Sequence, residues 1–258
     1  MSYVETIVSV AIFAGVATML YSTYERVFVT ARASQARVNA IALADEQFEL
    51  ARNLAFSQVG TIGGVPSGVL KPVQTLIRGG MTFIATTTVR NIDQPFDGVA
   101  GGSPNDLSPA DNKLIEIDIS CTSCKDFRPL VLTSWVGPQS LEGSSTNGAL
   151  FVKVIDASGL VISNANVSVF NASTTPSISI ADITGTSGML QIVDAPPGVQ
   201  TYQIAVSKSG YSSEKTYGLP TTTTPVKPHA TVAVNTVTQL AFIIDRTSTL
   251  NFSSVSPS

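Results

Sequence analysis

The chain has 258 residues and a formal net charge of −3, and only 13% of its residues are charged, against a usual figure of about 25%. A charge balance this close to neutral excludes the strong positive field with which a protein attracts nucleic acid or an anionic membrane. The single histidine, His229, lies in a Pro-rich stretch. No nucleophile–histidine–acid set can therefore be assembled, and we expect no enzyme activity.

The chain begins with a long apolar segment next to a single carboxylate. Nineteen residues from Thr6 to Tyr24 carry no charge, and a helix of that length spans about the 30 Å hydrocarbon core of a bilayer. A carboxylate such as Glu5 in an apolar segment costs about 2.5–3.5 kcal/mol on insertion scales. The nearest cation along the chain is Arg26, about 30 Å away on the same helix. Glu5 is therefore predicted to pair with the positive amino terminus of another copy of the protein.

The run MSYVETIVSVAIFAGVA resembles the mature N-terminus of a type IV pilin. In that family a short basic leader is removed, the new first residue is often Phe or Met, and a Glu stands at the fifth mature position. Met1 and Glu5 hold these places. Since no Lys/Arg-rich leader precedes Met1, we expect the numbering to be that of the mature chain. The alternative interpretation is a simple N-terminal membrane anchor.

The chain departs from the family pattern at two positions of the helix. Many major pilins carry Gly at the fourteenth mature position and Pro at the twenty-second, and that Pro accompanies local melting of the helix in the filament. Here the glycine is Gly15, and position 22 is Ser22. Pro destabilises a helix by about 3 kcal/mol and Gly by only about 1 kcal/mol. The sequence therefore leaves open whether the helix melts near Gly15.

The helix is predicted to continue well beyond the apolar segment. From Glu25 to about Leu54 there is neither Pro nor Gly, so nearly continuous helix of over fifty residues is expected, against an average of eleven or twelve. Apolar residues recur at spacings of three and four, which indicates one buried helical face that seats a globular domain. This predicted face consists of Val38, Ile41, Ala44, Phe48, Ala51 and Ala55.

After Phe56 the composition changes to that of a β-rich domain. A Gly/Pro/Ser-rich loop comes first, and three runs rich in Val, Ile, Thr and Phe then predict strands at Met81–Val89, Leu114–Ile119 and Leu130–Val136. One long helix, a loop and an antiparallel sheet, in this order, resemble the pilin fold. The strings ALADEQFELARNLAF, GGVPSG, NIDQPFDG and LTSWV are also similar to pilin sequences, so the resemblance covers about residues 1–136.

The second half of the chain indicates a separate all-β module. Leu150, Val152 and Val154 alternate with other residues, and turn signals recur about every ten residues, which suits a β-sandwich. The strings DASGLVISNANV, TGTSGMLQI, PPGVQTYQI and SKSGYSS resemble the carboxypeptidase-regulatory-like, immunoglobulin-type sandwich over about residues 147–218. That family's domain is a non-catalytic spacer or binding module.

These patterns predict an α+β chain: a long N-terminal α-helix packed on an antiparallel sheet, followed by an all-β immunoglobulin-like sandwich. We divide the chain into five segments. They are the membrane or filament-core half of the helix at 1–24, the pilin globular domain at 25–136, a linker at 137–148, the sandwich at 149–246 and a tail at 247–258.

Two cysteines, Cys121 and Cys124, form a C-x-x-C motif. A redox pair would need a helix that begins at the first cysteine, whereas this motif follows a predicted strand. A zinc site would need two further ligands, and His229 belongs to the other module. In an oxidising compartment we therefore expect a local disulfide. No cofactor is expected.

Four aspartates, Asp93, Asp97, Asp106 and Asp111, lie in or beside a polar, Gly-rich loop. Oxygen-rich loops of this type can bind calcium. The EF-hand spacing is absent, and solvated or turn-forming aspartates are the favoured interpretation. The sequence thus indicates weak calcium candidates and otherwise no metal site.

The resemblance implies a structural subunit of an extracellular type IV pilus, with Met1, Glu5 and Gly15 as assembly residues. Its expected partners are copies of itself in a helical filament, the cytoplasmic membrane before assembly, the pilus assembly machinery, a prepilin peptidase and an unidentified surface receptor. One alternative is a pseudopilin or minor pilin of a secretion or uptake machine. Another is a membrane-anchored adhesin or binding module that does not polymerise.

Overall fold

The computed structural model describes residues 2–125, 127–138, 145–218 and 225–249. Within these ranges the chain forms one long α-helix, a short 3-10 turn and twelve β-strands. It divides into two compact units. The first comprises Met1–Leu50, Val73–Thr86 and Ile117–Leu132, and the second comprises Ala51–Pro72, Thr87–Glu116 and Thr133–Ser258.

Helix α1 runs without interruption from Tyr3 to Arg52, 50 residues in all. Described residues up to Gln35 are exposed, and burial begins at Ala36. The predicted face is wrong in part, because Val38 is 64% exposed and Ile41 is 40% exposed. Ala55 is also exposed and lies beyond the end of the helix. The buried face is on a different side of the helix from Val38 and Ile41, and it is rich in alanine. The small side chain of alanine lets a helix pack closely against its neighbours. It consists of Ala36, Ala40, Leu43, Ala44, Gln47, Phe48 and Ala51.

A hairpin packs on this helix within the first unit. Strand β1 (Val73–Arg78), which the sequence did not predict, pairs antiparallel with the first part of β2 (Met81–Ile92). Gly79 and Gly80 form the two-residue turn with φ values of 58° and 75°, the positive-φ geometry that such hairpin turns require. The hairpin is joined to the helix by hydrogen bonds from Gln74 to Gln47 at 2.9 Å and from Arg78 to Glu46 at 2.8 Å.

The first sheet has the strand order β1–β2–β3–β4, where β3 is Asn112–Cys121 and β4 is Leu130–Val136. All three predicted strands are present, and β2 and β3 are longer than predicted. Alternate side chains of β2 and β3 are buried, as expected for strands with one face on a core. The large apolar ones are Phe83, Val89, Ile115, Ile117 and Ile119.

The second half folds as two further sheets. One has the order β10–β9–β6–β7 with β11 also paired to β9, and the other has the order β12–β5–β8. Strand β12 pairs parallel with β5 in the second of these sheets. The strands are β5 Gly148–Ile155, β6 Asn166–Asn171, β7 Ile178–Ile183, β8 Met189–Ala195, β9 Gly198–Ser207, β10 Glu214–Lys215, β11 Ala230–Val232 and β12 Val237–Ile243.

The two sheets share one hydrophobic core. Full burial of a large apolar side chain contributes about 1.5–3 kcal/mol, and this core holds many of them. Its largest fully buried members are Leu150, Val152, Val154, Tyr202, Ile204, Phe242 and Ile244.

The α+β class is confirmed: one long N-terminal helix is followed by β-sheets. The compact units do not divide at the predicted linker, since residues 51–72 and 87–116 belong to the same unit as the sandwich. Residues 139–144 of that linker, and residues 250–258 of the predicted tail, lie outside the described residues. The separate folding of the two parts therefore stays a prediction.

Candidate functional site: the exposed helix and the acidic loop

The first half of α1 presents apolar side chains to its surroundings on every side. From Ser2 to Gln35 each residue is exposed. By length and composition α1 could cross a membrane, with a mean hydropathy of 1.8 over its most apolar window of eighteen residues. Monomeric soluble proteins rarely expose apolar patches of more than a few hundred Å². This surface, here called the apolar helix surface, includes Ile7, Val10, Ile12, Phe13, Met19 and Leu20, all more than half exposed.

Five hydroxyl groups on this part of the helix bond to the helix itself. Each donates to a backbone carbonyl three or four residues earlier, so it needs no partner outside the helix. A hydroxyl satisfied in this way avoids the cost of an unpaired polar group in an apolar environment. The bonds measure 2.7–2.9 Å and come from Ser9, Thr18, Ser22, Thr23 and Thr30.

Glu5 lies near the N-terminal end of the apolar helix surface. Its Oε2 accepts a hydrogen bond from the backbone N–H of Ser2 at 2.9 Å, as an acidic group near a helix N-terminus often does. Among the described residues, no Lys or Arg forms an ion pair with Glu5. Met1, the predicted donor of the pairing amino group, lies outside the described residues.

Gly15 and Ser22 lie within unbroken helix. A Cβ added to Gly15 would meet no atom within 4 Å. No contact among the described residues therefore requires glycine at this position.

The helix changes from uncharged to charged at an aromatic pair. The rings of Tyr24 and Phe28 stack at 6.0 Å, and the guanidinium of Arg32 lies 4.6 Å above the ring of Phe28. Such a cation–π contact stabilises a charged group beside an aromatic face. The group of Tyr24, Phe28 and Arg32 thus lies at the end of the apolar helix surface.

Three of the four predicted calcium candidates come together. One carboxylate oxygen each of Asp93, Asp106 and Asp111 lies within 4.8 Å of the others, whereas Asp97 is exposed and outside this group. Burial raises the pKa of Asp93, and the neighbouring carboxylates raise it further against a hydrogen bond from Ala100 N–H that lowers it. The loop thus concentrates negative charge at one point.

Sequence reasoning missed a buried lysine, Lys113, on β3. Its Nζ donates hydrogen bonds of 2.7 Å to the carbonyls of Phe56 and Val59, and it lies 4.6 Å from the centre of the Phe56 ring. Burial lowers its pKa from 10.5 to about 8, although the charge of Asp194 acts in the opposite direction. The sequence contained the information needed, because Lys113 occupies one of the alternate positions of β3 that point to the core, together with Ile115 and the later buried isoleucines.

Sequence reasoning also missed Arg90 on β2. Its guanidinium pairs with Asp182 on β7, and Glu116 on β3 lies 3.5 Å away. The hydrogen bond with Asp182 raises the pKa of Arg90, so the guanidinium stays charged. The next residue, Asn91, donates to the carbonyl of Val193 at 3.1 Å. Both residues therefore join the end of β2 to strands of the second half of the chain.

The cysteines lie where β3 ends. Cys121 and Cys124 form a disulfide with a Cα–Cα distance of 5.5 Å. His229, the remaining residue of the zinc alternative, shares a hydrogen bond of 2.9 Å with Thr216 in the sandwich, and burial lowers its pKa. This contact gives the histidine a structural role there.

No protein-family model and no curated protein sequence matches the chain. Among solved structures, it is similar to the pilus 2b backbone protein of group B streptococcus, at 15% identity and a TM-score of 0.25, over 56% of this chain and 54% of that one. It is also similar to the major pilin subunit of Bacillus cereus, at 13% identity and a TM-score of 0.27, over 53% of this chain and 38% of that one.

A third similar structure is the full-length major pilin SpaD from Corynebacterium diphtheriae, at 12% identity and a TM-score of 0.24, over 54% of this chain and 38% of that one. The chain thus spans 54% or less of the length of these three proteins. Likenesses at these TM-scores do not assign a function to the chain.

Proposed function

We propose that the protein is the structural subunit of an extracellular type IV pilus, held in the cytoplasmic membrane before assembly and then built into a helical filament. The single observation that carries the proposal is the apolar helix surface with Glu5 near its end. Residues 1–136 then form a pilin fold, and the second half is an immunoglobulin-type sandwich that faces outward as a spacer or binding module.

The apolar helix surface must be shielded from water, and two apolar environments can shield it. Lipid tails cover it in the membrane, and the same surfaces of neighbouring copies cover it at the axis of a filament. Because tails and apolar side chains are similarly apolar, the hydrophobic contribution nearly cancels between these two environments. Another contribution must therefore favour the filament.

Glu5 provides that contribution. In the membrane its carboxylate costs about 2.5–3.5 kcal/mol, and pairing with a positive group of a neighbouring copy would recover much of this. The N-terminal amine is the group indicated by the sequence. Since every other stagger of the subunits leaves the charge unpaired, the pair also fixes the register of the filament.

The partners of such a subunit are other copies of the chain, the membrane, the pilus assembly machinery, a prepilin peptidase and an unidentified receptor for the sandwich. A non-catalytic role follows from the proposal. Assembly into a pseudopilus, or as a minor subunit, would use the same pairing of Glu5. An anchored adhesin would use the same helix without polymerising.

The test replaces Glu5 in cells that express only the variant, with Glu25→Ala as the matched control on the charged part of the helix. We expect Glu5→Ala to reach the membrane fraction normally and to lower the yield of sheared filaments by about tenfold or more, which corresponds to about 1.4 kcal/mol. Glu5→Gln should be milder because it keeps a hydrogen-bonding group. Glu25→Ala should assemble normally.

Negative-stain microscopy and mass spectrometry of sheared surface material measure the yield. A normal filament yield from Glu5→Ala would overturn the pairing. Membrane-bound wild-type protein without any filaments would support the anchored adhesin instead.

A further inference from the structure

We propose that Asp93, Asp106 and Asp111 form a calcium site that closes the loop between β2 and β3. Asp93 directly follows β2, Asp106 lies within the loop, and Asp111 directly precedes β3. One bound ion would therefore join the two strand ends and the middle of the loop. The site goes beyond the proposed filament and does not depend on it.

The spacing of the three carboxylates fits a calcium ion. One oxygen from each lies within 4.8 Å of the others. Calcium holds its oxygen ligands at about 2.3–2.6 Å, so two ligands on opposite sides of the ion are about 5 Å apart. All three oxygens can thus contact one ion without a large movement of the backbone.

The backbone of the loop orients each carboxylate through one of its two oxygens. Ala100 N–H donates to Asp93 Oδ2 at 2.8 Å, Ser108 N–H donates to Asp106 Oδ1 at 2.7 Å, and Gln94 N–H donates to Asp111 Oδ2. Since only one oxygen of each group is used in this way, the other remains available as a ligand.

A second observation, independent of the clustering, is that two of these other oxygens are buried without a partner. Asp106 is only 9% exposed, and its Oδ2 accepts no hydrogen bond from any described residue. Asp93 Oδ1 is also buried and accepts no hydrogen bond from any described residue. A buried acceptor without a partner destabilises the folded state, and more strongly when it is charged.

Protein cations do not supply what these oxygens lack. No Lys or Arg among the described residues forms an ion pair with Asp93, Asp106 or Asp111. Among the described residues, the mutual repulsion of the three carboxylates is thus opposed only by backbone amides. A divalent cation would offset the repulsion and satisfy both buried oxygens together.

The donor set selects calcium over other divalent ions. Zinc favours nitrogen and sulfur ligands, and this group offers only oxygens. Magnesium demands a near-ideal octahedron and keeps several waters, whereas calcium accepts irregular arrangements of carboxylates and backbone carbonyls. An irregular loop with three carboxylates therefore suits calcium better than magnesium.

The experiment uses the full chain in detergent micelles after removal of metal with a chelator. Calorimetric titration with CaCl₂ should show one ion per chain, with a Kd of about 0.1–1 mM, as in extracellular calcium modules. Saturating calcium should raise the midpoint of thermal unfolding and slow hydrogen exchange in residues 93–111. MgCl₂ should bind more weakly.

Asp106→Asn should weaken calcium binding by about tenfold or more, because it removes one of three charged ligands. Asp97→Asn, which alters an exposed aspartate of the same loop, is the matched control and should bind calcium as the wild type does. Asp93→Asn serves if Asp106→Asn fails to fold. Far-UV circular dichroism in chelator checks the fold.

Three results would overturn the site. They are no calcium binding by the wild type at about 10 mM, well above the weakest range expected, equal loss of binding in Asp97→Asn and Asp106→Asn, or magnesium binding as tight as calcium binding. Because the assay needs no filaments, its failure would leave the pilus proposal standing, and a failure of filament assembly would leave the site standing.

Discussion

Arg90 donates two parallel hydrogen bonds to the carboxylate of Asp182, from Nε to Oδ2 at 2.7 Å and from Nη2 to Oδ1 at 2.8 Å. The pair joins β2 to β7, across 92 residues of chain. This fork-shaped pairing is among the stronger hydrogen-bonding arrangements in proteins, because both donors and both acceptors are used at once. The side chain of Asp182 is only 9% exposed, so solvent screens the pair incompletely.

We expect Asp182→Asn to lower the free energy of unfolding by about 1–3 kcal/mol, since it leaves the Arg90 guanidinium with a weaker acceptor. Glu46→Gln is the control. It removes an ion pair to Arg78 whose side chains are 53% and 38% exposed, and exposed pairs of this kind contribute about 0–1 kcal/mol. Urea unfolding of the full chain in micelles, followed by circular dichroism, measures both. Equal effects of the two substitutions would mean that the Arg90 pair contributes no more than an ordinary surface pair.

Lys113 should make the stability depend on pH in the alkaline range. Its folded pKa of about 8 lies below the ordinary value of 10.5. Between these two values the unfolded chain binds more protons than the folded chain, so the contribution of Lys113 to stability rises with pH. Below pH 8 it is charged in both states, and its contribution is then constant.

The measurement compares wild type with Lys113→Met from pH 7 to 10.5. The variant should be less stable throughout, because the carbonyls of Phe56 and Val59 lose their donor. The gap between the two proteins should widen by up to about 3 kcal/mol as the pH rises, at about 1.4 kcal/mol per unit of pKa difference. A gap that stays constant over this range would show that the amine is not desolvated.

Elements with strong local patterns could be predicted from the sequence. Strands β2, β3 and β4 are dense in Val, Ile and Thr, and α1 lacks internal proline. Strand β1 could not be predicted in this way, because its apolar residues Val73 and Ile77 lie on its exposed face, whereas the half-buried face carries the polar Gln74 and Arg78. The buried helical face was predicted only in part, because Val38 and Ile41 were included whereas the smaller Ala36 and Ala40 were missed.

Candidate sites were predictable only in part, for a similar reason. The loop's composition indicated four aspartates as oxygen ligands, but only the folded loop separates Asp97 from the other three. Lys113 could have been detected because it occupies one of the alternate, buried positions of β3. The pairing of Arg90 with Asp182 was not, since nothing local in either strand indicates a partner so distant along the chain.

The disulfide gives a further prediction. Under denaturing conditions without reduction, alkylation should leave the mass unchanged, and reduction should expose two thiols, at Cys121 and Cys124. Replacing both with Ser should cost only a modest part of the stability, because the loop between them is very short. Two alkylated thiols in the unreduced sample would show that Cys121 and Cys124 do not form a disulfide. Complete loss of filaments in the double variant would instead indicate that this turn contacts another subunit.

The sandwich should fold without the rest of the chain. Its buried core residues all lie between Leu150 and Ile244, and a fragment of residues 147–258 keeps all of them, although it loses the partly buried Val65 that packs against this core. Circular dichroism should show a β-rich, soluble protein with one cooperative unfolding transition. A helical spectrum would contradict this boundary. A complementary fragment that ends near Gly137 should keep its helix and sheet, although Arg90 and Asn91 lose their partners in the sandwich.

The two fragments also provide the sharpest test of the Arg90–Asp182 pair. In residues 147–258 Arg90 is absent, so Asp182→Asn should change the stability by no more than about 0.5 kcal/mol, as at an ordinary surface position. In the full chain the same substitution should cost about 1–3 kcal/mol. The local hydrogen bond from Ile183 N–H to Asp182 Oδ1 exists in both settings, and the asparagine oxygen can accept it. An equal cost in fragment and full chain would therefore assign the effect to β7 itself and not to Arg90.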